Sequence, residues 1–328
     1  MIEVVKAPPF ATVQDLGWRT GRAWGLPPGG AMDPVLMAAA NDAVGNDSGA
    51  AALEWALGPG VLRFEQRALV CVLRGAELRV EGETMEGAIV PVPAGGVLEV
   101  IPGGTERFLY LAVRGGFAVP PRLGSRSTYT LGEFGGYEGR RLRTGDRLPM
   151  GEAGRHTDRG TARSLNAEGA GRLRRGGGAA PMPAGPKAAG EVVLRVTRGP
   201  QWDRFGAAAR ETFFSSPFTV SNASNRFGYR LTGPTLAPRE AATLPSEAAC
   251  PGAVQIPDAG EPIVLMPDGP TVGGYPKIAV VIRVDLRLLA QCAPGRKVRF
   301  REVSLEEARG TLHAPAHAST VLRSSPRY

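Results

Sequence analysis

Between residues 53 and 113 one pattern repeats. A short apolar run is followed by a Gly- or Pro-containing turn every ~8–12 residues. The runs are LEWAL, VLRFE, ALVCVLRG, ELRVEG, GVLEVI and RFLYLAVRGG. This is the rhythm of an all-β barrel or sandwich. The second half takes it up again, with AVQI, PIVLM and KIAVVI set between PG, DG and GGYP turns. Helices are few and short. Asp33 followed by Pro34 starts one, with Asp33 as cap and Pro34 in the first turn, and Gly45 stops it, giving a helix over about 34–44. Others are predicted over about 201–210, over 285–291, and from the Ser304/Glu307 capping box onward.

The 328 residues are enough for two domains. The boundaries expected are 1–150 and 191–310. Between them, residues 151–190 are rich in Gly, Ala, Arg and Pro with almost no large apolar side chains, the composition of a flexible linker. Residues 311–328 read as a disordered tail. The formal charge of +8 invites a nucleic-acid reading, but its distribution argues against one. Residues 151–190 and 296–328 each carry a surplus of four positive charges, which leaves the rest of the chain neutral. No aromatic-plus-basic platform accompanies them. No run approaches the ~18 apolar residues of a membrane helix, and the start, MIEVVKAPPF, lacks a signal-peptide pattern. A cytoplasmic protein binding a small molecule, with no nucleic acid and no membrane, is the expectation. Cys71, Cys250 and Cys292 lie far apart without metal-ligand spacing and read as free buried thiols.

The three histidines, His156, His313 and His317, fall in the linker and the tail. A Ser-His-Asp or Cys-His site within the folded body is thereby excluded, and a His-ligated metal is not expected. No P-loop and no dinucleotide fingerprint occur. Chemistry must therefore use Arg, Lys, Asp, Asn, Gln, Tyr, Ser and backbone groups, a set suited to polarising a small anionic or amide substrate. Such residues crowd into 219–281: Asn225, Arg226, Tyr229, Arg230, Gln255, Asp268, Tyr275 and Lys277. The first half adds Gln14, within the loop-leading TVQDLGWRTGRAWGLPPGG, and Arg126, which with Arg140 can clamp a carboxylate or phosphate.

A family resemblance runs through most of the chain. TVQDLG, GGAMD, ANDAVGN, LAVRGG, VPPRLGSRST, GGYEGR, TGDRLP, RGPQWDRF, SNRFGYRLTG, PGAVQIP, PIVLM, TVGGYPKIA and SLEEA occur in that order. The chain resembles the allophanate hydrolase subunit 2, or biotin-dependent carboxyltransferase, family, in the branch like the C-type component of 5-oxoprolinase. The resemblance implies two tandem cyclophilin-like β-barrels and a hetero-oligomer with a homologous subunit-1/B-like protein and a subunit-A protein. It also implies ATP-dependent hydrolysis of 5-oxoproline to glutamate, with ATP bound by this chain or a partner. In the urea-carboxylase branch the implied reaction is carboxyl transfer from biotin to urea, and a non-catalytic regulator of the partner subunit is a further alternative. Carried over, Lys277, Tyr275 and Asp268 are expected to act on the reacting group. Gln14, Arg126, Asn225, Arg226, Tyr229, Arg230 and Gln255 are expected to bind substrate, Arg226 or Arg126 through its carboxylate. The chain departs from the family at three positions: Gly29 where Ser is frequent, Ala248 where Gly is common, and Pro270 where a buried Gln is frequent.

Overall fold

The computed structural model describes residues 1–152, 190–238 and 244–313. Most of the linker and tail read from the sequence, including His156 and His317, lie outside them. The chain divides into two compact units, and the division is interleaved. Met1–Gly17 and Pro34–Pro183 form the first, whereas Trp18–Asp33 belongs with Ala184–Tyr328 in the second.

In the first unit most strands lie in two sheets, beside a small ribbon of Thr128–Tyr129 and Phe134–Gly135. One has six strands in the order Arg147–Leu148, Ile2–Lys6, Gly60–Phe64, Val97–Pro102, Ala76–Val80, Glu83–Thr84. The other has five: Phe10–Gln14, Ala52–Leu57, Leu109–Val113, Ala68–Cys71, Ile89–Val92. Alternation along the strands sets their inner faces. In Ile2–Lys6, Ile2 and Val4 are buried while Glu3 and Lys6 are not, the period of two expected of a half-buried strand. Leu109–Val113 is buried at every position, because the helix Pro34–Ala43 packs over it. That helix starts at Pro34 and gives way to Gly45 at φ +77°, as its sequence signals require.

The second unit contains a closed seven-stranded barrel in the order Val192–Arg198, Lys277–Val281, Ala253–Gln255, Ile263–Leu265, Gly228–Thr232, Phe218–Val220, Lys297–Glu302. Closure comes from the one parallel pair, in which Val192–Val196 runs beside Val298–Glu302. Closing the sheet removes its open edges. Helix Ala207–Ser215 seats Phe213 against Phe300, ring centroids 4.4 Å apart, with Phe218 completing the cluster. The single helix expected over 201–210 is instead a short 3-10 turn, Trp202–Arg204, followed by Ala207–Ser215, because Phe205 and Gly206 take extended conformations between them. The helix Arg283–Ala290 forms where expected, and Ser304 and Glu307 exchange the two hydrogen bonds of a capping box at the start of Leu305–His313. Outside the barrel, Glu247–Ala248 pairs with Val272–Gly273 as a two-stranded ribbon. Among the described residues no helix is long and apolar enough to cross a membrane.

Candidate functional site

In the second unit the ends of two barrel strands and the ribbon bring polar side chains together. Gln255 ends one strand and Lys277 begins the next, and the two are partners across the ladder at a bulge. The Lys277 side chain is 5% exposed, and its Nζ donates to Glu247 Oε1 on the ribbon at 2.5 Å. Gln201 joins them: its Oε1 accepts from the Lys277 backbone N–H at 3.0 Å, and its Nε2 donates to the same Glu247 oxygen at 2.6 Å. A buried ammonium thus meets a half-open carboxylate. Hydrogen bonding to Lys277 holds the Glu247 carboxyl below the usual range against its desolvation, with smaller contributions from Gln201 and the Arg204 charge.

The ribbon's other strand brings Gly273 against Gln255. A Cβ on Gly273 would stand 2.5 Å from Gln255 Nε2, so a side chain there would require Gln255 to shift. Gln255 is 4% exposed, and its Nε2 has no hydrogen-bond partner. The inserted segment supplies Arg22, whose Nη2 donates to the Ala249 carbonyl and whose Nη1 is buried without a partner. Cys250 lies within reach of both cations. Burial pushes its thiol up, while Arg22 and Lys277 pull the other way.

Arg226 and Asp268, 42 residues apart, form a second feature of this unit. Arg226 donates from Nε and Nη2 to the two Asp268 oxygens at 2.7 and 2.8 Å, and from Nη2 to the Gly30 carbonyl at 2.8 Å. Asp268 is fully buried. Burial pushes its carboxyl up, and the guanidinium opposes that. Both side chains are engaged internally and hold the inserted segment to the barrel, a role reinforced by the Gly29 N–H, which donates to the Pro267 carbonyl at 2.9 Å. Asp268, expected to act on the reacting group, and Arg226, expected to bind substrate, thus pair with each other inside the unit. Gly29 sits at φ +60° with the Trp18 ring where a Cβ would go, 2.5 Å away, which accounts for glycine there. Pro270 is exposed, so the side chain that replaces the family's frequent Gln buries nothing.

The remaining expected residues are dispersed. Tyr229 is buried and its hydroxyl donates to the Ala290 carbonyl at 2.6 Å. Asn225 and Arg230 are exposed, the former closing a local turn through its Oδ1, which accepts from the Phe227 N–H. Tyr275 is 41% exposed, two residues before Lys277. Gln14 and Arg126 lie in the first unit. There Asp15 accepts from the Ser125 and Ser127 hydroxyls, both at 2.6 Å, and from the Arg126 N–H at 2.6 Å. Arg126 Nε donates to the Val119 carbonyl at 2.8 Å, and Gln14 Nε2 donates to Thr12 Oγ1 and the Thr128 carbonyl, both at 3.0 Å. This strapped loop satisfies Asp15 fully and leaves Gln14 Oε1 without a donor. Glu247, Gln201 and Arg22 are not among the residues that the sequence singles out. The Gly-rich loop contains Arg22 and the RGPQWDRF motif contains Gln201, but neither residue stands out within them. Among the described residues no group of three or more His, Cys, Asp or Glu side chains is placed to hold a metal ion.

A family model described as "Carboxyltransferase domain, subdomain A and B" matches residues 24–302. The chain belongs to this family. It is 37% identical over 310 residues to the C-type component of 5-oxoprolinase from Escherichia coli (strain K12), spanning 94% of this chain and 93% of that one. The corresponding Haemophilus influenzae protein is 35% identical over 311 residues, with the same coverage. The crystal structure of the K. lactis urea amidolyase superposes with a TM-score of 0.82 at 29% identity, covering all of this chain and 20% of that one. The all-β class and the closed barrel accord with membership of this carboxyltransferase family.

Proposed function

We propose that this chain is the C-type component of a cytoplasmic, ATP-dependent 5-oxoprolinase. In this reading it acts with subunit-A and subunit-B partners to open the ring of 5-oxo-L-proline to L-glutamate as ATP is cleaved to ADP and phosphate. The observation that carries the reading is the Lys277–Glu247–Gln201 cluster at the barrel end, in a chain alike to the C-type component of 5-oxoprolinase over nearly the whole of both. Opening a lactam places negative charge on its carbonyl oxygen. A buried ammonium held in position by neighbouring groups stabilises that charge without reorganisation. Lys277 is assigned that role. Glu247, ionised at neutral pH and half open, is assigned to accept a proton from the attacking water, and Tyr275 to flank the entrance. Asp268 and Arg226 are assigned a positioning role.

A second reading keeps the same donors for carboxyl transfer from a partner-borne biotin to a urea or amide acceptor. The likeness to the K. lactis urea amidolyase supports it. The test is to mix the purified protein with its subunit-A and subunit-B counterparts, 5-oxoproline and ATP, and to follow glutamate. Glutamate formed only by the full mixture, and abolished by Lys277→Ala, is the expected result. A stable complex that forms none would sink this reading in favour of carboxyl transfer.

A further inference from the structure

The cluster around Lys277 holds more hydrogen-bond donors than the protein itself satisfies. Gln255 Nε2 and Arg22 Nη1 are both buried and both without an acceptor. A buried donor left unpaired costs stability of the same order as a lost hydrogen bond, and native structures retain such groups where something outside the chain completes them. Both donors lie beside the same two-stranded ribbon. Gln255 is the strand partner of Lys277 and lies against Gly273, Gly273 is the ribbon partner of Glu247, and Glu247 accepts from Lys277. These four residues close a ring. Ala249, two residues beyond Glu247, is where Arg22 is anchored. The charge balance points the same way. Lys277 and Arg204 act on the single carboxylate of Glu247, while Arg22 and Lys277 act on the neighbouring Cys250 thiol. What these two donors lack is an acceptor.

We propose that Arg22 and Gln255 form the carboxylate-recognising half of this site, with Arg22 as the residue that selects ring amides bearing a carboxylate over those without one. This deepens the reading above and rests on it for the ring. The guanidinium presents a planar fork that matches two carboxylate oxygens. Anchoring Nη2 on the Ala249 carbonyl fixes the fork's orientation and leaves Nη1 for the ligand. Gln255 Nε2 supplies a second, neutral donor. Lys277 then remains for the ring carbonyl, so the two ends of a small cyclic amide acid meet different groups.

The experiment is isothermal titration of the full chain with 5-oxo-L-proline and with 2-pyrrolidinone, the same ring without its carboxylate. Wild type, Arg22→Gln and Gln255→Leu are compared, with thermal melting of each. Wild type is expected to bind the acid and to show at least about tenfold weaker binding of the amide, the scale of one charge-assisted hydrogen bond. Arg22→Gln should weaken the acid by about tenfold or more. Gln255→Leu should weaken it with a melting temperature unchanged or raised, since it removes an unpaired buried donor; a merely structural role for Gln255 would lower the melting temperature instead. Equal binding of the two ring compounds, wild-type affinity in Arg22→Gln, or no binding of the acid by the wild-type chain would each overturn the inference. Glutamate formation by the assembled subunits is scored separately. Turnover without dependence on Arg22 removes this inference and leaves the oxoprolinase reading intact. Arg22-dependent binding without turnover does the reverse.

Discussion

Replacing Arg226 by Met should destabilise the second unit by about 3–5 kcal/mol, the scale of breaking a buried ion pair from one side. The geometry sets the expectation at that level rather than at the level of a surface pair. The Arg226 side chain is 6% exposed and that of Asp268 0%, and two parallel bonds of 2.7 and 2.8 Å join them. Without the guanidinium, Asp268 keeps its burial and loses both donors. Asp268→Asn leaves the reverse problem, a buried cation that keeps the Gly30 carbonyl but has lost its carboxylate. The double variant Arg226→Met/Asp268→Leu removes both charges and should be less destabilised than the sum of the single variants, with a coupling of about 0.5–3 kcal/mol. Urea unfolding followed by tryptophan fluorescence reads this directly. Trp18, Trp24 and Trp202 lie in the second unit and only Trp55 in the first. Single variants that lose less than about 1 kcal/mol, or effects that simply add, would refute the claim that this pair is a buried strut.

Gly273→Ala should force Gln255 out of its position, since the new methyl would meet Nε2 at 2.5 Å; glutamate formation by the assembled subunits is expected to fall while the far-ultraviolet circular dichroism stays as in wild type. Glu247, whose carboxyl is held down chiefly by its hydrogen bond to Lys277, contributes stability that is present above its unfolded-state pKa and lost as pH falls through the lower folded value. Lys277→Met should therefore flatten the acid limb of the unit's stability-against-pH curve, measured by urea midpoints between about pH 3 and 6. Cys71 is fully buried and its thiol is pushed up to about 12 by burial, so iodoacetamide at pH 8 should leave it unmodified in the native protein and label it in urea, as mass spectrometry would show.

The sequence determined what depends on residues near one another. Strand alternation, the Pro34 start and Gly45 stop of one helix, and the Ser304/Glu307 box each rest on interactions spanning a few residues, and each is found in the fold. The same locality explains the one miscast element. A helix is expected through 201–210, but two extended residues, Phe205 and Gly206, split it. The ordered family motifs contain Gln255 and Lys277, and the fold puts both at the strand ends where the proposed site lies. Tertiary structure alone decided their company. Arg22 meets the Ala249 carbonyl across 227 positions, and Arg226 meets Asp268 across 42. Nothing within a few residues of Arg226 says that its charge is consumed internally, nor of Glu247 that it faces a lysine 30 positions on. Which distant side chains meet is set by how the barrel closes and where Trp18–Asp33 is drawn in, and closing those long loops is rewarded only by the packing of the whole unit.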